Sequence, residues 1–210
     1  MRKLILKMSV SIDGFVAGPN GEIDWIFKST DDATADWIVD TLWQAGVHIM
    51  GSRTFHDMAA YWPTSTEKFA APMNEIPKLV FSRKGRVDIS GTDSTTQALK
   101  DARRARPHKP ATIAADSSWT HAPVARGELK AEIARLKTQP GKDILAHGGA
   151  RFAQSLVRER LVDEYRLVVH PVALGRGLPL FSDLQEPLHL KLVSSTAFGA
   201  GAVAQVYRPA

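Results

Sequence analysis

Apolar and polar positions along the chain repeat with two different periods, and the changeovers between them mark the predicted elements. Residues Lys3 to Ile12 alternate and then run apolar, which predicts a central strand; Asp13-Gly14 opens a long glycine-rich loop through Pro19-Asn20-Gly21. With Thr30 or Asp31 as N-cap, a helix carries Trp37, Ile38, Thr41, Leu42 and Ala45 on one face, and Gly46 ends it. A strand from Val47 to Met50 follows and turns at Gly51-Ser52-Arg53-Thr54-Phe55 into a second helix ending near Trp62-Pro63. Pro77 precedes a short strand, Lys78 to Phe81, that stops at Ser82-Arg83.

The middle of the chain is harder to read. Between about Gly85 and Ser118 the run Arg103-Arg104-Ala105-Arg106-Pro107-His108-Lys109-Pro110 is basic and broken by proline, which predicts an exposed excursion, an insertion at about 86–117. Ala122 to Ala125 reads as a strand, and Glu128 to Lys137 as a helix with Leu129, Ile133 and Leu136 inward, stopped by Pro140-Gly141. Ile144, Leu145 and Ala146 are apolar in a row, as in a strand covered on both faces; after His147-Gly148-Gly149 the spacing of Phe152, Leu156 and Val157 is helical. Tyr165, Leu167 and Val169 then alternate in a strand ending at Pro171. A turn-rich connection from Leu174 to Phe181 leads to an antiparallel pair, Leu188 to Ser194 and Val203 to Tyr207. Strands and helices alternate first and strands pair last, which predicts one α/β domain with a mixed sheet and no internal repeats.

Composition narrows the function. With 210 residues, 44% hydrophobic and 23% charged, the chain can bury a sizeable core, and no apolar run approaches the roughly 20 residues of a membrane span. A cytoplasmic protein without a membrane partner is expected. The absence of cysteine excludes a disulfide, a thiol nucleophile and the His/Cys/Cys zinc site of nucleobase deaminases, and the seven histidines lack ligand-like spacing, so no metal is expected. A net charge of +5 suggests nucleic acid, but the basic residues are spread along the chain without interleaved aromatics; a polyanionic cofactor accounts for the charge equally well.

Two junctions have the chemistry for such a cofactor. Paired glycines at Gly148-Gly149 let backbone approach a ligand, and the free N–H groups and positive dipole end of the helix opening at Ala150 favour a phosphate. Gly51 with Thr54 repeats the arrangement, and Arg53 adds a bidentate phosphate donor. Taken alone, Gly148-Gly149 is also an ordinary tight turn, Arg53 and Arg83 surface arginines, and Thr54 a local cap.

Taken together, Lys7-Met8-Ser9-Val10-Ser11-Ile12-Asp13-Gly14, Met50-Gly51-Ser52-Arg53-Thr54, Gly148-Gly149-Ala150 with Leu161-Val162-Asp163-Glu164, and Leu174 to Phe181 resemble the dihydrofolate-reductase-like superfamily. The branch is the one containing the reductase domain of the bifunctional riboflavin-biosynthesis deaminase/reductase. The similarity covers nearly the whole chain apart from 86–117. It implies a three-layer α/β/α sandwich with a mixed, mostly parallel sheet and a C-terminal antiparallel hairpin, binding NADPH and commonly dimeric, here a homodimer. It also implies a cofactor site at Ala17, Gly51, Arg53, Thr54, Ser82, Arg83, Gly148, Gly149, Ala150, Arg151 and Phe152, with Ser82-Arg83 at the 2′-phosphate. Phe152 shares a helical face with Leu156, so only its backbone is expected to touch a phosphate.

The resemblance also implies hydride transfer to a small heterocycle, pterin- or folate-like or aminopyrimidine-like, and that reaction usually needs one proton donor. Asp13, where the branch has its Ser-Leu-Asp-Gly segment, is the first candidate; a turn-forming Asp before Gly14 reads the same way. Asp36, spaced before Gly51 like the helix carboxylate of dihydrofolate reductases, is the second; on an amphipathic helix beside Trp37 it also reads as an exposed surface carboxylate. Lys7 matches a lysine of the branch, or is a strand lysine pointing to solvent, and Ala17-Gly18 with Ile23-Asp24-Trp25 resembles the mobile loop of dihydrofolate reductases, with Trp25 as a wall for a flat ring or an ordinary core aromatic, although their Leu-Pro-Trp is absent. One departure concerns His147, which stands where these reductases usually carry Glu; it serves as a neutral donor, a proton relay or merely the last strand residue. The deaminase half has no counterpart in the 210 residues. An NADPH-dependent reductase is therefore expected, with a non-catalytic nucleotide-binding protein on the same fold as the alternative and nucleic-acid binding through Arg103 to Lys109 as the third reading.

Overall fold

The computed structural model describes residues 1–83, 85, 96–105 and 118–210. In chain order its strands and α-helices are β1 Leu4–Ser11, β2 Phe15–Ala17, α1 Asp24–Phe27, α2 Asp32–Trp43, β3 Ala45–Gly51, α3 Ser52–Ala59, α4 Ala70–Glu75, β4 Lys78–Phe81, α5 Gln97–Ala105, β5 Val124–Ala125, α6 Leu129–Thr138, β6 Asp143–Ala146, α7 Ala150–Arg158, β7 Glu164–His170, β8 Leu178–Pro179, β9 Leu190–Ala197 and β10 Val203–Pro209. Eight strands form one sheet in the order β5-β4-β3-β6-β1-β7-β10-β9. From β5 to β7 every pairing is parallel, and β10 and β9 close the edge as an antiparallel hairpin.

Both faces of the sheet are covered, which explains the continuous apolar runs. In β6, Ile144 and Ala146 join the core that also holds residues of α6 and α7, while Leu145 between them joins the opposite core with α2, α3 and α4; all three are 0% exposed. Successive side chains on a strand point to opposite faces, so a triple apolar run is what a doubly covered strand requires. The result is the three-layer sandwich with a mostly parallel sheet and C-terminal hairpin. Among the described residues no helix is long and apolar enough to cross a membrane.

Some boundaries differ from expectation. Helix α2 stops at Trp43, capped by Gln44, because Ala45 and Gly46 already belong to β3. Its N-cap is Asp31, whose carboxylate accepts from Thr34 N–H at 2.8 Å and from Ala200 N–H at 2.9 Å in the C-terminal hairpin. Within the stretch expected to be an exposed excursion, α5 is packed instead: Leu99 and Asp101 are buried, and Asp101 accepts from the Ile23 N–H at 2.9 Å. Arg103 and Arg104 of the basic run are exposed on α5, while 86–95 and 106–117 lie outside the described residues.

One buried ion cluster ties the sheet's far side. Glu164, 2% exposed, faces Arg166 at 2.8 Å, Arg208 at 2.9 Å and Lys3 at 3.7 Å, joining β7, β10 and the residue before β1. Burial alone would raise its carboxyl, but hydrogen bonds from Arg166 and Arg208 outweigh it and hold the group below the usual range. A depressed carboxylate adds stability above its unfolded pKa of about 4.3 and loses it as pH falls through the folded value. Glu164→Gln is therefore expected to cost about 3 kcal/mol near neutral pH, the low end for breaking a buried pair because Arg208 stays half exposed. Urea unfolding of the two proteins should converge as the pH is lowered through the acid range; a gap unchanged by acid would contradict this account.

Candidate active site

The carboxyl ends of the parallel strands open onto a cleft of 2390 Å³, the place where ligands bind in open α/β sheets. Two strand-to-helix junctions form one wall and are stitched together. Gly51 N–H donates to the Gly148 carbonyl at 3.3 Å, and Gly149 N–H donates to Thr54 Oγ1 at 2.7 Å. The fit is tight: a side chain added at Gly149 would meet Thr54 Oγ1 at 2.7 Å, one at Gly51 would meet Phe152 Cβ at 3.3 Å, and one at Gly148 would meet Met8 Sδ at 2.7 Å. The N-caps of α3 and α7 are Gly51 and Gly149, neither with a side-chain cap, so the opening N–H groups of both helices are left for a ligand.

The predicted cofactor residues come together here. Ala17, Gly51, Arg53, Thr54, Ser82, Arg83, Gly149, Ala150, Arg151 and Phe152 all line the cleft, with Gly148 just behind as the carbonyl that holds Gly51. Phe152 does more than pack on Leu156: its ring meets Phe81 at 5.1 Å, and both line the cleft. One further arginine carries no signal in the sequence. Arg126 lines the cleft immediately after β5, and the register Phe81↔Ala125 sets it alongside Ser82-Arg83. A two-residue strand next to a long unreadable stretch conceals it.

The acids are placed elsewhere. Asp13 accepts from the Gly175 N–H at 2.7 Å, the Leu174 N–H at 3.1 Å and the Ser11 hydroxyl at 2.5 Å, so it locks the loop after β7 to the end of β1. The Ser11 hydroxyl, with those amides, holds its carboxyl below the ordinary range, and Asp13 is not among the residues that line the cleft. Asp36 sits on the outer face of α2, 65% exposed and paired with Lys68 at 2.6 Å. The cleft-facing residues of that helix are Ile38 and Leu42. Trp25 is a core aromatic whose indole donates to the Glu22 carbonyl and meets His170 edge-on, while its neighbours Ile26 and Phe27 face the cleft.

The floor is basic. On the face of β1 that begins with core Ile5, Lys7 and Ser9 line the cleft, and the pairing Leu6↔Ala146 puts Lys7 beside His147. Lys7 has no hydrogen-bond or ion-pair partner among the described residues, and desolvation pushes its amine down to about 8. His147 packs edge-on against His48 with ring centroids 4.5 Å apart. Burial, then the charges of His48, Lys7 and Lys78, push His147 well below its usual value, so it is neutral at physiological pH. His147 Nε2 and both ring nitrogens of His48 are buried without a partner among the described residues. His170, pushed down to about 4 mainly by burial, is the other imidazole affected by Lys7.

Residues 2–204 match the family described as the RibD C-terminal domain. The chain belongs to that family. It is 34% identical over 212 residues to the uncharacterized protein YyaP of Bacillus subtilis (strain 168), covering 98% of this chain and 94% of the relative. Among solved structures, a putative riboflavin biosynthesis protein from Shewanella sp. PV-4 superposes with a TM-score of 0.71 at 21% identity, covering 100% and 99% of the two chains. A diaminohydroxyphosphoribosylaminopyrimidine deaminase/5-amino-6-(5-phosphoribosylamino)uracil reductase from Thermotoga maritima gives 0.64 at 17% identity, covering 100% of this chain and 57% of that one. These two structures share the fold of this RibD C-terminal domain.

The basic floor has a stability consequence. Because the folded pKa of Lys7 lies below its unfolded value of about 10.4, the unfolded state holds more protons between the two, and stability rises as pH passes from about 8 upward. Lys7→Met is expected to be more stable than the unsubstituted protein near pH 7 and to lose that advantage by about pH 10. Parallel urea titrations check this, and an advantage that is flat with pH would show that Lys7 is not desolvated.

Proposed function

We propose that the protein is an NADPH-dependent reductase that delivers hydride to a small flat unsaturated substrate, a heterocycle of the pterin or aminopyrimidine kind. The observation that carries this reading is the convergence of Gly51–Thr54, Ser82-Arg83 and Gly149–Phe152 on one cleft at the carboxyl ends of adjacent parallel strands. Membership of the RibD C-terminal domain family supports the same chemistry. The residues present suit the dinucleotide: bare glycines and uncapped helix starts would hold its pyrophosphate with Thr54, Arg53 and Arg151, and Arg83 with Arg126 would hold the 2′-phosphate. When bound, the reduced nicotinamide supplies the hydride. The chain's own part is to orient the substrate against Ile26, Phe27, Ile38 and Leu42 and to present Lys7, Ser9 and His147 beneath it.

This reading carries a cytoplasmic location. It also carries a homodimer, supported by the outer strand β9, which exposes Leu192 and Val193 at 50% and 48%. Sedimentation velocity is expected to give twice the chain mass of 23.0 kDa.

Titration with NADPH and NADH, followed by tryptophan quenching, tests the reductase. NADPH is expected to bind much more tightly than NADH. Arg83→Ala and Arg126→Ala should each weaken NADPH by about tenfold or more, as expected for loss of a charge-assisted hydrogen bond, and leave NADH unchanged. If neither dinucleotide binds, the reductase reading is wrong.

A further inference from the structure

Arg53, Arg83, Arg126 and Arg151 line the half of the cleft assigned to the dinucleotide, but the floor beneath the apolar wall has a different character. The carboxylates lining the cleft among the described residues are Asp57 of α3, Glu128 before α6 and Glu159 after α7. None comes from β1, α1, α2 or the end of β6. At that end Lys7 is half-buried and without a partner among the described residues, with the Ser9 hydroxyl two residues along the same strand face and neutral His147 directly after the adjacent strand β6. A desolvated cation without a partner is costly, and in a ligand cleft the missing partner is supplied by what binds.

We propose that the substrate is a conjugated carbonyl compound, bound with its oxygen on Lys7, and that the Lys7–Ser9–His147 floor selects this oxygen acceptor over substrates that present hydroxyl donors. The inference rests on the reductase reading for the direction of electron flow. Hydride reaches the far carbon of the conjugated system, and the carbonyl π pair moves onto oxygen. The Lys7 ammonium stabilises that oxygen and gives it one proton, then regains one from solvent, so the substrate ends with two more hydrogens. His147 contributes by remaining uncharged: a carboxylate there would neutralise Lys7 and repel the developing oxyanion. The wall of Ile26, Phe27, Ile38 and Leu42 suits the flat body of such a molecule. Lys7 is the catalytic residue in this assignment, and His147 is a positioning residue that acts through it.

The test uses a stable oxyanion in place of the reacting one. The intact protein is titrated with 4-nitrophenol at a pH where the free phenol is protonated, and with 4-nitrobenzyl alcohol as a flat neutral donor of similar size. The phenol is expected to bind as its yellow phenolate, and the alcohol at least tenfold more weakly, a difference of about 1.4 kcal/mol. Lys7→Met and His147→Glu should lose the phenolate band, and Lys7→Arg should keep it. Urea unfolding of each variant identifies any that fail to fold, and where Lys7→Met is among them the phenolate affinity of Lys7→Arg at raised pH, where the lysine of the unsubstituted protein has lost its charge, decides the question. No phenolate band in the unsubstituted protein, a band that persists in folded Lys7→Met, or equal affinity for the alcohol overturns the proposal. NADPH binding is measured on the same sample without the phenol, so failure of the reductase reading shows separately.

Discussion

Two hydrogen-bonded stitches hold the site together: Gly149 N–H on Thr54 Oγ1 and Gly51 N–H on the Gly148 carbonyl. They join the ends of β3 and β6, adjacent parallel strands whose following helices would otherwise be free to splay. Because both helices begin at glycines without side-chain caps, the stitches also bring two such helix starts to one wall. The glycines are there for contact. Their missing side chains leave room for Met8, Thr54 and Phe152, and the same bare backbone is what an anion needs to approach.

Much of this is legible in the sequence because parallel strands buried on both faces leave a strong imprint. Ile144-Leu145-Ala146 and Lys78 to Phe81 are recognisable as strands, and glycine after a strand with helical spacing beyond it locates the two junctions. The acids are not legible. Asp13 and Asp36 both have suitable spacing, but only three dimensions show that one is consumed by the amides of Leu174 and Gly175 and the other by Lys68. Spacing along a helix or loop says which residues share a face, and says nothing about what the distant chain brings back to meet that face.

Trp25 is left undecided by the sequence, and α5 is misread, for a related reason. A tryptophan in a loop reads equally as a ligand wall or a core residue, and the choice is made by His170 and the Glu22 carbonyl, which pack it inward and turn Ile26 and Phe27 to the cleft. In α5 the polar composition suggests solvent, yet Asp101 is buried because it binds the Ile23 N–H of the loop before α1. Local polarity fails as a guide wherever a buried carboxylate satisfies a backbone donor.

The strand β1 shows where structure gives way to function. Its even positions, Leu4, Leu6, Met8 and Val10, all enter one core. Its odd positions begin with Ile5 in the other core and then change to Lys7, Ser9 and Ser11, so the alternation of a doubly covered strand persists on one face and breaks on the other. Nothing in the fold requires that break, since an apolar residue at Lys7 would avoid a desolvated amine. A local pattern that agrees with the fold everywhere except at one face of one strand is the kind of exception expected where stability is given up for chemistry, and it is the reason the proposed substrate floor is put there.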